Sequence, residues 1–374
     1  MITIARTDRS EFGRWWWTVD RWTLAALVAL MALGAVLLLA ASPAAGGRIG
    51  LDSFHLARRQ LLLMPAALFL LVAVSLMSPR ALRRLAFFGL LAALALCLVT
   101  LFIGAEIKGA QRWIALAGFS IQPSEFLKPC FVVVTAWLFA LSKDKESTPA
   151  VPVATVLWAL CAGLLLLQPD VGQAFVLTAV WGFQFFLAGL PLMLVAGFAL
   201  SGLAGLFAAY FTLPHVTARI DSFFDPAAGD RYQIDRSLEA FGNGGLLGRG
   251  PGEGTIKAHL PDSHSDFIFA VAGEEFGMLA CLLILLLFAF VVLRGFARVL
   301  QDNNLFALLA GAGLLAQFGL QALINMASTL HLMPTKGMTL PFISYGGSSL
   351  LALSLGMGMV LALTRRRSGP GDLL

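Results

Sequence analysis

The segment HLPDSHSDFIFAVAGEEFGMLACLLILLLFAFVVL, residues 259–293, decides the fold. From Phe276 to Leu293 it carries no charge and is almost wholly apolar. A helix that crosses a bilayer needs about 20 predominantly apolar residues, and this run supplies them. Its beginning is different. His259, Asp262, His264 and Asp266 precede the apolar stretch that opens at Phe267, and Glu274 and Glu275 stand inside it. Ionisable groups within a span are costly and mark functional or paired positions. The stretch therefore reads as a transmembrane helix entered through a chemically loaded mouth.

Nine further segments of the same kind surround it. The expected spans are 22–42, 58–78, 84–104, 124–142, 151–168, 171–189, 191–212, 266–294, 304–328 and 342–364. Hydrophobic residues make up 59% of the 374 and charged residues 13%, against about 45–50% and about 25% in soluble domains. The composition excludes a soluble protein and gives no sign of a nucleic-acid partner. Strand-like alternation is absent, and helices satisfy their own backbone in lipid. The expected class is an all-α integral membrane protein. A segment 1–21 leads into one ten-span domain over 22–364, with a long loop 213–265 and a tail 365–374. The first run, followed by ASPAAGG, reads as a retained helix rather than a cleaved signal. Cys97, Cys130, Cys161 and Cys281 lie in apolar runs and read as buried small hydrophobes. Gly202 with Gly205, and Gly356 with Gly358, suggest close helix packing.

Ten spans put both ends of the chain on one side. Arg6, Arg9, Arg14 and Arg21 at one end and Arg365, Arg366 and Arg367 at the other assign that side to the cytoplasm. The opposite loops are basic as well, with Arg48, Arg58, Arg59, Lys108, Arg112, Arg219, Arg231, Arg236, Arg249, Lys257 and Lys336. An anionic ligand on the outer face explains them.

Four clusters carry chemistry. Asp266, with His264 and Asp262, is either a general base at the membrane rim or, with Ser265, a cap for the following helix. Glu274 and Glu275 are read as structural acids paired inside the bundle, a proton relay being the alternative. In KGAQRWIAL and SIQPSEFLK, Lys108, Arg112 and Trp113 suit a phosphate beside a lipid or sugar, although Trp113 also fits an interfacial anchor. Pro123 starts a helix there, and Glu125 and Lys128 are spaced for an ion pair. In HLMPTKGMTLPFISYGGSS, Lys336 presents an ammonium between two prolines, and Ser344 belongs to a small polar run opening the last span. In QPDVGQ, Asp170 is placed to cap the sixth span. The glycine-rich GNGGLLGRGPGEG, residues 242–254, reads as a flexible loop or as backbone able to approach a phosphate. It lacks the pattern of a nucleotide-binding P-loop.

Four segments, GAQRWIALAGFSIQPSEFLK, LQPDVGQ, LPDSHSDFIFAVAGEEFG and LMPTKGMTLPFISYGGSS, together resemble the SEDS family of bacterial cell-wall proteins (shape, elongation, division and sporulation). They occur in the family's order across the whole chain. The PTKGMTLPFISYGGSS block is closer to the family's cell-division branch than to its elongation branch. The resemblance implies a peptidoglycan glycosyltransferase that polymerises lipid II, a disaccharide-pentapeptide on undecaprenyl pyrophosphate. The reaction would take place at the outer face of the cytoplasmic membrane. It implies that Asp266 is the essential aspartate, Lys336 the important lysine, and Glu125 with Lys128 the paired acid and base of the fourth span. The family commonly has Thr before the aspartate, and here Ser265 keeps the hydroxyl. Arg112, Lys336 and Arg249 would oppose charge on the leaving group, with Trp113, Lys108, His264 and Ser344 as further substrate contacts. A class B penicillin-binding transpeptidase and other division proteins are the implied partners. No ligand cluster demands a metal, although a divalent cation could bridge the pyrophosphate. The competing readings are a lipid II flippase and a non-catalytic division scaffold. A flippase needs alternating access, often built on inverted repeats, and no repeat is evident. A scaffold would leave Asp266 and the outer bases without a task.

Overall fold

The computed structural model describes residues 10–50, 52–107, 110–116, 119–144, 149–189, 192–212, 216–218, 221, 223, 231–334 and 337–365. Among the expected site residues, Lys108 and Lys336 lie outside this set, as do Arg366, Arg367 and much of the first half of the 213–265 loop.

A short helix α1 (Glu11–Thr18) precedes α2 (Arg21–Ile49), α3 (His55–Ser75) and α4 (Pro79–Ile103). Three strands follow, β1 (Ala105–Ile107), β2 (Ala110–Leu116) and β3 (Phe119–Ile121). Next come α5 (Pro123–Asp144), α6 (Ala150–Leu167), α7 (Val171–Leu187) and α8 (Leu192–Thr212). An amphipathic helix α9 (Tyr232–Gly244) leads to α10 (Ile268–Val299), α11 (Leu305–Thr329) and α12 (Gly347–Leu363). The ten expected spans correspond to α2 to α8 and α10 to α12. Among the described residues, seven helices are long and apolar enough to cross a membrane, and Val171–Leu187 and Gly347–Leu363 are shorter apolar helices.

Local chemistry sets the helix starts. Pro123 opens α5, where its missing N–H costs nothing. Ser78 accepts from the Ala81 amide ahead of α4, Asn304 from Ala307 ahead of α11, and Asp170 from Gln173 ahead of α7. Burial then ranks the helices. In α5 and α11, 78% and 72% of the apolar stretch is buried, against 28% in α3 and α4, so α5 and α11 form the centre of the bundle. Gly358 marks tight packing, since a Cβ on it would lie 2.8 Å from the Leu71 carbonyl oxygen, whereas one on Gly356 would meet Pro129 at an ordinary 3.4 Å. Among the described residues, nothing lies within 4 Å of a Cβ placed on Gly202 or Gly205.

Three features differ from expectation. The loop 105–123 contains a small antiparallel sheet in the order β1-β2-β3, with Ile114 opposite Ile121 and Glu106 opposite Gln111. The last span begins at Gly347 rather than at 342, because the preceding residues form turns, with Phe342 at φ 63°. The span expected over 266–294 is two helices. Gly277, at φ 78° and ψ −179°, breaks α10. Nine residues precede the break and 22 follow it, and the second piece, Met278–Val299, is long enough to cross a bilayer by itself.

The glycine-rich segment explains how an apolar helix tolerates that break. Met278 and Leu279 donate their amides to the carbonyls of Gly245 and Leu246. In return, Arg249 and Gly250 donate theirs to the carbonyls of Glu274 and Glu275. All four groups freed by the kink are satisfied by one loop, as irregular backbone buried in protein requires. Only glycines allow this approach. A Cβ on Gly248 would sit 2.2 Å from the Glu275 carbonyl oxygen, and one on Gly244 1.9 Å from that of Gly273.

Candidate active site

Asp266 lies two residues before the first helical residue of α10, in a turn closed onto the Asp262 carbonyl by the amides of Ser265 and Phe267. The helix N-cap is Phe267, and no side chain caps it. The capping role open to Asp266 or Ser265 in the sequence is therefore not the one they take. The turn is laced instead to the segment before α12. Ser344 Oγ donates to the Ser265 carbonyl at 2.5 Å and accepts from the Leu340 amide at 2.8 Å. The Tyr345 amide donates to the His264 carbonyl at 2.9 Å, and the two rings lie 5.5 Å apart. Asn325 Nδ2, from α11, donates to the Asp266 carbonyl at 2.9 Å and to the Met338 carbonyl at 2.6 Å. Gly337, at φ 60°, passes so close that a Cβ on it would stand 3.5 Å from Asp266 Oδ2. Lys336 directly precedes this glycine in the chain. Two sequence blocks some 70 residues apart thus meet at one carboxylate.

Asp266 lines a cavity of about 930 Å³. His264, Ser265, Asp262, Asn325, Gly337 and Tyr345 share its wall. The same cavity is lined by Arg59, Arg112, Trp113, Glu125, Asp170 and Gln173, brought by α3, β2, α5 and the turn into α7. Arg112 is held in place. Its Nε donates to the Gln168 carbonyl at 2.9 Å, Nη2 bonds the Pro169 carbonyl, and Nη1 lies 3.5 Å from Asp170 Oδ1. Burial pushes the Asp170 carboxyl above the usual range, and the charge of Arg112 opposes that rise.

Beneath this wall runs a buried polar chain. Lys128 Nζ lies 3.0 Å from Glu125 Oε2 and 3.3 Å from Gln321 Oε1. Gln173 Nε2 donates to Glu125 Oε1 at 2.6 Å, and Gln321 Nε2 donates to the Thr339 carbonyl at 3.1 Å. Glu125 and Lys128 are 5% and 2% exposed, so each charge depends on its partner for solvation. The chain joins the Arg112 side of the cavity to the segment beside Asp266.

Two expected contacts lie elsewhere. Ser344 is buried as a tether and takes no place in the cavity wall. Arg249 is outside that wall as well, its guanidinium bonded to Asn243 Oδ1 and carbonyl. The physical reason is the glycine loop, which binds an anion belonging to the protein. Glu274 accepts from the amides of Thr255, Ile256 and Lys257 and from Asn243 Nδ2. Glu275 accepts from the Gly252 amide and is paired with Lys257. The loop is neither a flexible tether nor a phosphate cradle.

Sequence reasoning passed over Gln321, Asn325 and Gln173, and noted Arg59 only as one outer base among many. A signal was present: Gln317, Gln321 and Asn325 recur every four residues in an apolar span. That spacing places three amides on one helix face.

A helical membrane bundle holding a carboxylate and two guanidinium groups in one cavity defines a protein suited to a polar or anionic head group. The family model described as "Cell cycle protein", FTSW_RODA_SPOVE, matches residues 21–369, and the chain belongs to this FtsW/RodA/SpoVE family. It is 49% identical over 366 residues to the probable peptidoglycan glycosyltransferase FtsW of Caulobacter vibrioides (strain NA1000 / CB15N), covering 98% of this chain and 94% of that one. The protein of the same description from Trichlorobacter lovleyi (strain ATCC BAA-1151 / DSM 17278 / SZ) is 35% identical over 350 residues, covering 90% and 91%. Among solved structures, one described as "Structural coordination of polymerization and crosslinking by a peptidoglycan synthase complex" superposes with a TM-score of 0.76 at 28% identity, covering 92% of this chain and 97% of that chain. The rod shape determining protein RodA of Thermus thermophilus superposes with a TM-score of 0.69 at 30% identity, covering 93% and 97%.

Proposed function

We infer that the chain is a peptidoglycan glycosyltransferase of cell division, and we propose Asp266 as its general base. Family membership and the names of near full-length relatives support the activity. The observation that carries the residue assignment is the carboxylate fixed in the wall of a cavity large enough for a sugar head group, which Arg59 and Arg112 also line.

The substrate is lipid II. Asp266 accepts the proton of the 4-hydroxyl of the acceptor's N-acetylglucosamine. That oxygen attacks the anomeric carbon of the donor's N-acetylmuramic acid, and the bond to undecaprenyl pyrophosphate breaks. The α-linked donor becomes a β-1,4-linked glycan with inversion. Charge growing on the diphosphate is opposed by Arg112 and Lys336, and Arg59 lines the same cavity. Such preorganised electrostatics tend to be the largest catalytic term, and a positioned base adds roughly 10²–10⁴-fold. His264 and Trp113 bound the sugar site, and Lys108 is assigned to phosphate with them. A divalent cation bridging the diphosphate is compatible with this reading. The cavity faces the outside of the cytoplasmic membrane, both termini lie in the cytoplasm, and a class B penicillin-binding transpeptidase crosslinks the product.

The decisive experiment is glycan synthesis from purified lipid II by Asp266→Asn. The variant is expected to insert and melt like the parent while losing roughly 10²-fold or more of its polymerase activity. Near-normal glycan from that variant would refute the assignment. Lipid II movement across liposomes without any polymer from the parent would favour a transporter.

A further inference from the structure

We propose that Asn325 is a positioning residue for glycosyl transfer: its amide clamps the backbone of Asp266 to that of Met338, so that the base and the segment following Lys336 are held as one unit. The inference rests on the assignment of Asp266 as base and extends it to a residue that acts through the backbone of that base.

The geometry leaves the amide no other reading. A carboxamide nitrogen has two hydrogens, and here both are committed, to the Asp266 carbonyl at 2.9 Å and to the Met338 carbonyl at 2.6 Å. Turning the amide over would set its oxygen against two carbonyl oxygens, so the orientation follows from the partners. Asn325 is 2% exposed and sits on α11, where 72% of the apolar stretch is buried. The carboxylate, by contrast, stands in a turn before its helix begins. Ser344 and Tyr345 hold the neighbouring carbonyls of Ser265 and His264, and Asn325 is the tether that joins the Asp266 backbone itself to α11. One turn earlier, Gln321 reaches the same segment at the Thr339 carbonyl and also accepts from Lys128. The clamp is therefore continuous with the buried polar chain leading to Glu125 in the cavity wall. A displacement of about 1 Å in a reacting group can cost roughly 10²-fold in rate, which is the effect this clamp prevents.

The test uses the full chain in detergent, with purified lipid II as substrate and Asp266→Asn in parallel. Asn325→Asp keeps the shape but replaces the donor with an acceptor that repels both carbonyls. Asn325→Ser keeps one donor. The expected result is a fall in kcat of roughly tenfold to a hundredfold for Asn325→Asp, a smaller fall for Asn325→Ser, and KM within about threefold for both. A purely structural amide would lower the amount of folded protein and leave the kcat of the folded fraction unchanged. Wild-type kcat in Asn325→Asp, or a change confined to KM, would overturn the proposal while leaving an inactive Asp266→Asn, and so the base, intact. If Asn325→Asp does not fold, the same criteria apply to Asn325→Ser. An active Asp266→Asn would remove the base assignment and this inference together.

Discussion

Lys257 is a buried ammonium, 6% exposed, paired with Glu275 and donating to the carbonyls of Ala40 and Gly252. It fastens three pieces at once: the end of the first half of α10, the glycine loop and helix α2. Taking two charges out of water is expensive, and the attraction between them offsets that cost only when both are present. Removing one partner should therefore do more harm than removing both. Lys257→Met is expected to destabilise the protein by about 3–5 kcal/mol. The double variant Lys257→Met with Glu275→Leu is expected to recover most of that loss. Thermal unfolding in detergent, read on the two single variants and the double, checks it. A double variant less stable than either single would mean that the pair is held by its neighbours rather than by itself. The same residues show what a sequence can and cannot reveal. Two adjacent glutamates in an apolar run announce partners somewhere, and the expectation of structural pairing follows from cost alone. Nothing in the run says that the partners are the amides of Thr255, Ile256 and Lys257, because those bonds come from a loop whose path is set by tertiary packing.

At the scale of the element, the broken helix α10 is the feature on which the site depends. Its first nine residues carry Asp266 at their mouth and Glu274 and Glu275 at their end, and its last 22 form the span. Gly277 is where the two separate. At φ 78° a side chain is strained, and a Cβ there would also lie 2.4 Å from the Gly248 amide nitrogen and the Leu246 carbonyl oxygen. Left-handed strain costs about 1–3 kcal/mol, and the clash with backbone adds to it. Gly277→Ala is expected to loosen the glycine loop, raising amide hydrogen exchange over residues 244–257 well above that over α5 and α11. Unchanged exchange in the loop would show that its order does not depend on the kink. Ten apolar runs made the helices legible, and Pro123 and Asp170 marked two starts through familiar end chemistry. The kink was not legible, since one glycine in an apolar run is equally consistent with a straight helix. The sheet was hidden for a similar reason. In Ala110–Leu116 and Phe119–Ile121 the strands are short, and their pairing, Ile114 with Ile121, depends on register rather than on a pattern within either piece. At the site, Asp266, Arg112 and Trp113 were visible through motif chemistry. Asn325 and Gln321 belong to no such motif, and only the four-residue spacing of amides in an apolar span marks them. A basic residue in a glycine-rich segment suggests an external anion, but Arg249 is bonded to Asn243, and amides of the loop serve Glu274 instead.

Across the whole molecule, the two ends of the bundle do different work. The cavity occupies one end. At the other, the start and finish of the described chain meet: Arg365 donates to Thr18 Oγ1 at 3.1 Å and to the Leu76 carbonyl at 3.2 Å, and Trp15 Nε1 donates to Ser75 Oγ at 2.8 Å. Asp20, between α1 and α2, is the charged centre of that end. It is 1% exposed and receives Arg294 Nε at 2.7 Å, Arg298 Nε at 2.8 Å and Thr23 Oγ1 at 2.9 Å. These contacts bind the entry of α2 to the far end of α10, whose opposite terminus carries Asp266. Burial alone would raise the Asp20 carboxyl, but the hydrogen bonds from Arg294 and Thr23 and the charges of both arginines outweigh it and hold it below its ordinary value of 3.8. A carboxyl with a depressed folded value contributes stability that is present above the unfolded value and is lost as pH falls through the folded one. Asp20→Asn is therefore expected to cost about 2 kcal/mol at neutral pH, the scale of hydrogen bonds to a charged group. The difference should shrink progressively once the pH drops below about 4, where the unfolded chain takes up the proton first, and vanish as the pH falls through the lower folded value. Melting temperatures of the parent and Asp20→Asn, measured in the same detergent from pH 7 downward, read this directly. A gap that persisted unchanged to the lowest pH would mean that Asp20 acts through its shape and neutral hydrogen bonds, and that charge does not join this end of the bundle.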